Sequence, residues 1–262
     1  MPTTLTNQEL KTEYQQLFDT CLINEGKFTA VDAIVNAIVN GKSRYDAVSN
    51  NVSVPWYFIG IVHNMEASLN FSTHLHNGDS LKRKTIHVPA GRPLQGNPPF
   101  TWEASATDAL QLQKLDLWED WSVPGVLFQL ELYNGLGYRR RGINSPYLWS
   151  FSNHYIRGKF TADGVFDPLA ISRQCGAAVL LRRMCERQII EIGELDRVSE
   201  IRTLGKEVKF DKKNKSDKAL RLQQLLNSIG FALRVDGVAG EKTSNAFKTV
   251  SGKFLQGDLR TR

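Results

Sequence analysis

The sequence predicts a mainly α-helical protein with a small β-hairpin region, followed by a small helical C-terminal domain. Three observations carry that prediction. Apolar residues return at helical spacing over most of the first part of the chain, and the stretch from Phe71 to Pro99 interrupts that period with β-branched residues and turn signals. A charge-rich run, Lys209-Phe-Asp-Lys-Lys-Asn-Lys-Ser-Asp217, then separates a second helical pattern from the first.

The elements follow in order. Leu10, Tyr14, Leu17, Phe18 and Cys21, then Val31, Ile34, Val35, Ile38 and Val39, mark two amphipathic helices between Thr6 and Asn40. A third, short helix is expected over Tyr45 to Asn51, ended by the Asn-Asn pair. Pro55 suits the first turn of the next helix, Pro55 to Ala67, which is apolar almost all round and is therefore expected at the centre of the core. Its one acid is Glu66. The hairpin region is expected next, with loops at Asn77-Gly78-Asp79, Pro89 to Pro93 and Gly96 to Pro99. The helical period resumes at Thr101-Trp102-Glu103 and continues, with interruptions, to about Glu194. These patterns divide the chain into a main domain over 1–204, a charged linker over 205–215 and a C-terminal domain over 216–258.

Composition excludes several classes. The 262 residues suffice for a main domain of about 200 residues and an appendage. With 41% hydrophobic and 23% charged residues, and no run approaching the roughly 18 apolar residues of a span, no membrane partner is expected. The net charge of +6 suits an anionic partner, but the basic residues are scattered and no helix-turn-helix or zinc-finger spacing occurs, so nucleic acid is not expected. Cys21, Cys175 and Cys185 are odd in number and widely spaced, which fits buried thiols rather than a disulfide framework or zinc ribbon. The first ten residues lack the basic start and apolar stretch of a secretory signal.

A single carboxylate on an apolar helix is costly unless it is protonated or paired. Glu66 therefore has the raised pKa that a general acid needs. Its setting, His63-Asn-Met-Glu66-Ala-Ser-Leu-Asn-Phe71, resembles the lytic transglycosylases and goose-type lysozymes, which place a catalytic Glu at the end of a buried helix before a serine; here Ala67 intervenes. Gln129-Leu-Glu-Leu-Tyr133-Asn134-Gly135 resembles the Ala-Tyr-Asn-Ala-Gly stretch of that lysozyme-like superfamily, with glycine at 135 where alanine is usual. The resemblance covers roughly residues 50 to 185 and implies a lysozyme-like α+β domain with Glu66 as acid. Asp79 stands where hen-type and phage-type lysozymes carry a second carboxylate, and equally where a turn residue accepts backbone bonds. Tyr133 and Asn134 are candidates for holding an N-acetyl sugar or steadying Glu66, or for capping their helix. His76 and Tyr147 are further candidate sugar contacts.

The second pattern, Leu222-Gln223, Gly230-Phe231, Val235-Asp236-Gly237 and Gly240-Glu-Lys-Thr243, resembles the three-helix peptidoglycan-binding domain. That resemblance implies bacterial peptidoglycan as partner and names Leu222, Gln223, Asp236, Gly237 and Thr243 as its wall-binding positions. Together the two resemblances imply a muramidase or lytic transglycosylase that acts at the cell wall; a monomer without cofactor or metal is expected, and the lack of a visible signal favours a holin-type or secretion-machine route. Two alternatives stay open. His63, His74, His76, His87 and Asp79 could supply zinc to a wall peptidase or amidase, although no His-Glu-x-x-His helix occurs. The chain could also be a wall-binding protein without activity.

Overall fold

A computed structural model of the chain describes residues 6–162, 164–192 and 197–261. The N-terminal stretch 1–5 and the end of the helical period near Glu194 lie outside them. Among the described residues there are eleven α-helices and one two-stranded antiparallel sheet, so the fold is mainly α.

The first core is built by α1 (Gln8–Asp19), α2 (Phe28–Asn40), α3 (Lys42–Val52), α4 (Trp56–Ala67), α5 (Trp102–Leu112), α6 (Val123–Asn134), α7 (Pro146–Trp149) and α8 (Ala177–Glu186). Each of the early helices buries one stripe: Tyr14 and Phe18 on α1, Val31, Val35 and Ile38 on α2, Tyr45, Val48 and Val52 on α3. α4 buries Phe58 through His63 and Met65, which makes it the central helix. Gly60 allows that placement, since a Cβ there would stand 2.5 Å from Ile38 Cγ2 on α2. Side-chain caps start several helices: Asn7 accepts from the Leu10 amide, Thr101 from Ala104 and Ser122 from Gly125.

The hairpin lies elsewhere than expected. β1 (Lys159–Ala162) pairs with β2 (Val165–Asp167), Phe160 opposite Phe166, whereas the stretch from Phe71 to Pro99 holds one isolated bridge, Thr73 to Ser80. Scattered backbone bonds and side chains replace a ladder there. His74 bridges Ser105 Oγ (2.7 Å) and the Arg83 carbonyl (2.8 Å), Asn77 donates to the His87 carbonyl, and Thr85 Oγ1 accepts from the Arg92 amide. Prolines 89, 93, 98 and 99 lack the amide a strand would need.

A second core forms from α9 (Arg197–Glu207), α10 (Asp217–Ser228) and α11 (Glu241–Ser251), with Ile201, Leu222, Leu226, Phe247 and Val250 inside. The boundary expected at 204 falls within this core, because α9 belongs to it. The run 205–215 is likewise no free linker. Val208 is buried, the Phe210 amide donates to the Gln256 carbonyl (2.9 Å), and the Asp211 amide donates to that of Ala239 (3.0 Å). Its charges face outward while its backbone laces the module together.

Candidate active site

Glu66 sits in the last turn of α4, where apolar neighbours leave it half-buried. The chain then turns sharply. Ser68 (φ 49°) and Leu69 (φ 59°) both adopt the left-handed region, closing the helix with amide bonds to the carbonyls of Asn64 and His63, 3.2 Å each. Neither is glycine, so each costs about 1–2 kcal/mol. Gln174 covers the helix end, its Nε2 donating to the Met65 carbonyl at 3.0 Å. Burial raises the Glu66 pKa above its ordinary value, and a hydrogen bond from Tyr147 partly opposes that rise.

Tyr147 comes from α7, where Ser145 caps the helix and Pro146 occupies the first turn. Its hydroxyl donates to Glu66 Oε1 at 2.7 Å. Burial, then the charge of Glu66, pushes the Tyr147 phenol well above its usual pKa, so it stays a neutral donor. Tyr133, in the last turn of α6, brings a third group. Its hydroxyl is buried without a hydrogen-bond partner among the described residues, and its pKa is raised first by burial and then by the charge of Glu66. Three helices thus converge on one carboxyl group whose bonded partner is uncharged.

Asn134 follows Tyr133 but faces solvent. With Tyr138, Arg140 and Phe160 it lines a cavity of about 540 Å³ between the end of α6 and the hairpin. Gly135 (φ 81°) turns the chain here, and Tyr138 pins the hairpin by accepting the Phe160 amide on its hydroxyl at 2.9 Å. Among the other aromatic residues, Trp102, Trp149 and Tyr155 are buried in the core.

The remaining candidates are engaged elsewhere. Asp79 Oδ2 accepts the Ile86 and His87 amides (2.8 and 3.0 Å) and Oδ1 lies 2.7 Å from His87 Nδ1. Those bonds, the His87 amide foremost, hold its carboxyl well below the usual carboxylate range. Asp79 therefore occupies the turn role that the sequence left open. The His76 imidazole is fully covered, with Nε2 2.7 Å from Asp108 Oδ1, so it meets a carboxylate of α5 rather than an open groove. His63 is buried against Tyr45, and burial pushes its pKa down to about 4. Among the described residues no group of three or more His, Cys, Asp or Glu is placed to hold a metal ion.

Glu131 is the residue that sequence reasoning passed over. Like Glu66 it is the lone acid of an apolar helix, so the same argument picks it out. The structure separates the two. Glu131 accepts from the Tyr14 hydroxyl and pairs with Arg139 at 2.9 Å, whereas the partner of Glu66 is a neutral phenol.

In the second core, Gln223 is the hub. Its Nε2 lies within 3.0–3.1 Å of Asp236 Oδ1, the Val238 carbonyl and Thr243 Oγ1, and its Oε1 accepts the Asp236 and Gly237 amides at 3.0 and 2.9 Å. Leu222, Gln223 and Thr243 are buried. The residues named as wall-binding therefore build the glycine loop from within, and any surface that touches a polymer is made by their exposed neighbours. No protein-family model matches the chain, and no match to it is found among the curated proteins or the solved structures.

Proposed function

We propose that this chain is a peptidoglycan glycosidase. In this reading the helical first domain is lysozyme-like and cleaves the β-1,4 bonds of bacterial wall glycan, and the second module is a peptidoglycan-binding domain that keeps the enzyme on its polymer. The observation that carries the reading is the state of Glu66: half-buried, raised in pKa by that burial, and bonded to an uncharged phenol.

Such a group can protonate the leaving oxygen of a glycosidic bond, the step that needs an acid held neutral above the ordinary carboxylic range. Tyr147 orients Oε1 and leaves the second oxygen for the substrate. Asn134, exposed and next in the chain to Tyr133, offers a carboxamide to an N-acetyl group. With Asp79 Oδ2 taken up by the Ile86 and His87 amides and Oδ1 by the His87 imidazole, support for the oxocarbenium-like transition state falls to the sugar's own acetamido or hydroxyl group.

Glu66→Gln keeps the shape and removes the proton. Clearing of a purified wall suspension should fall roughly 10²–10⁴-fold while sedimentation with the walls persists. Clearing undiminished in the variant would reject the assignment, and a parent protein that binds walls without clearing them would favour the inactive binder.

A further inference from the structure

The two cores meet along α8, α9 and α11, and the seam is rich in arginine. Asp32 of α2 holds Arg183 in a bidentate pair, 2.7 Å at each oxygen, and also meets Arg187 at 3.3 Å. Glu186 pairs with Arg182 (2.8 Å), Arg183 (3.3 Å) and Arg202. Arg202 reaches across to α11 as well, its Nε donating to the Val250 carbonyl at 2.8 Å. Arg183, Arg187 and Arg202 thus gather around the carboxylates of Asp32 and Glu186. Burial, and then Arg182 and Arg183 beside it, disfavour the charge on Arg202.

Beside this cluster opens a cavity of about 630 Å³, within the size range of small-molecule sites. Five cations line it, Arg183, Arg187, Arg202, Lys206 and Lys253, against one acid, Glu186, while Phe247 and Phe254 supply an apolar wall. Lys206 and Lys253 are exposed and stand at its rim. Gly205 keeps the Phe247 side of the wall close, since a Cβ there would stand 2.0 Å from that ring. A phosphate group, with one negative charge as a diester and close to two as a monoester, matches the planar donor fork of arginine and suits a lining of five cations and one acid.

We propose that this seam is a binding site for a phosphorylated ligand, with the phosphate held by Arg183, Arg187, Lys206 and Lys253 and any apolar part of the ligand lying against Phe254. The proposal is independent of the activity assigned to Glu66. Because the walls come from both cores, the bound phosphate also ties the second module to the first. Two sources share this chemistry: a soluble phosphorylated compound and a phosphodiester polymer such as poly(glycerol phosphate).

Isothermal titration of the full chain tests it, with sodium phosphate, pyrophosphate and poly(glycerol phosphate) in separate arms, in chloride buffer of matched ionic strength. We expect saturable binding in at least one arm, weakened at least tenfold by the double variant Lys206→Ala/Lys253→Ala, whose exposed positions leave the fold intact. Binding by phosphate or pyrophosphate alone assigns a soluble ligand; binding by the polymer assigns a wall phosphodiester. No saturable heat in any arm, or equal affinity in the double variant, overturns the proposal.

Discussion

The hydroxyl of Tyr147 donates to Glu66 Oε1 at 2.7 Å although 81 positions separate the two in the chain. The bond stabilises the ionised carboxylate, so it works against the burial that raises the Glu66 pKa. Replacing Tyr147 with Phe removes the lowering influence and leaves the raising one. We predict that the high-pH limb of wall-lytic activity, set by loss of the Glu66 proton, moves to higher pH in Tyr147→Phe. A pH–rate profile of both proteins checks this, and a limb moved to lower pH would contradict the assigned roles.

Stability should carry the mark of the same carboxyl. Its folded pKa lies above its ordinary value of 4.5, so the folded chain holds the proton more tightly than the unfolded one. The associated stability is fully present below pH 4.5 and is lost as pH rises through the folded pKa. Glu66→Gln has no such dependence. We predict that the variant gains on the parent across that window, by up to about 1.4 kcal/mol per pH unit, and that the two converge in acid. Urea unfolding at a series of pH values measures the difference.

Glu131 should prove structural rather than catalytic. Arg139→Ala leaves that buried carboxylate without its cation, and breaking a buried pair costs about 3–5 kcal/mol. With Arg139 itself 29% exposed, the lower end of that range is expected. Chemical denaturation would show the loss, while the activity of the remaining folded protein stays near that of the parent. Glu66→Gln should show the reverse: activity lost, fold kept.

Gln223→Ala tests whether the second-module motif is architectural. The substitution strands the buried amide of Gly237 and the exposed-side amide of Asp236, and each buried unsatisfied group costs about 1–3 kcal/mol. We predict a loss of roughly 2–4 kcal/mol from unfolding of that module, with wall binding falling in parallel as it unfolds. Hydrogen exchange over α10 and α11 reports the opening locally.

Much of this arrangement was legible in the chain. The stripes of α1 to α4 and of α10 follow from helical spacing, and Glu66 stood out because one acid on an apolar helix has few explanations. What spacing could not supply was the contact between distant segments. Tyr147 was a candidate sugar contact, and only the packing of α7 against α6 and α8 turns it toward Glu66. The hairpin lies elsewhere because Phe71 to Pro99 carries the turn residues and β-branched residues of strands, while its scattered backbone bonds and side-chain bonds form no continuous ladder. The true hairpin is only four and three residues long, too short for alternation to register. The domain boundary was placed too late because the charges of α9 mask the buried pair Val198 and Ile201.

The central claim is that Glu66 gives its proton to a glycosidic oxygen, and mass spectrometry of digested wall glycan reads that event directly. Purified peptidoglycan treated with the parent protein should yield fragments cut between the amino sugars, ending in either a reducing or an anhydro sugar, and Glu66→Gln should yield none. Glycan strands left whole while their peptides are cut, or identical fragments from the variant, would contradict the account.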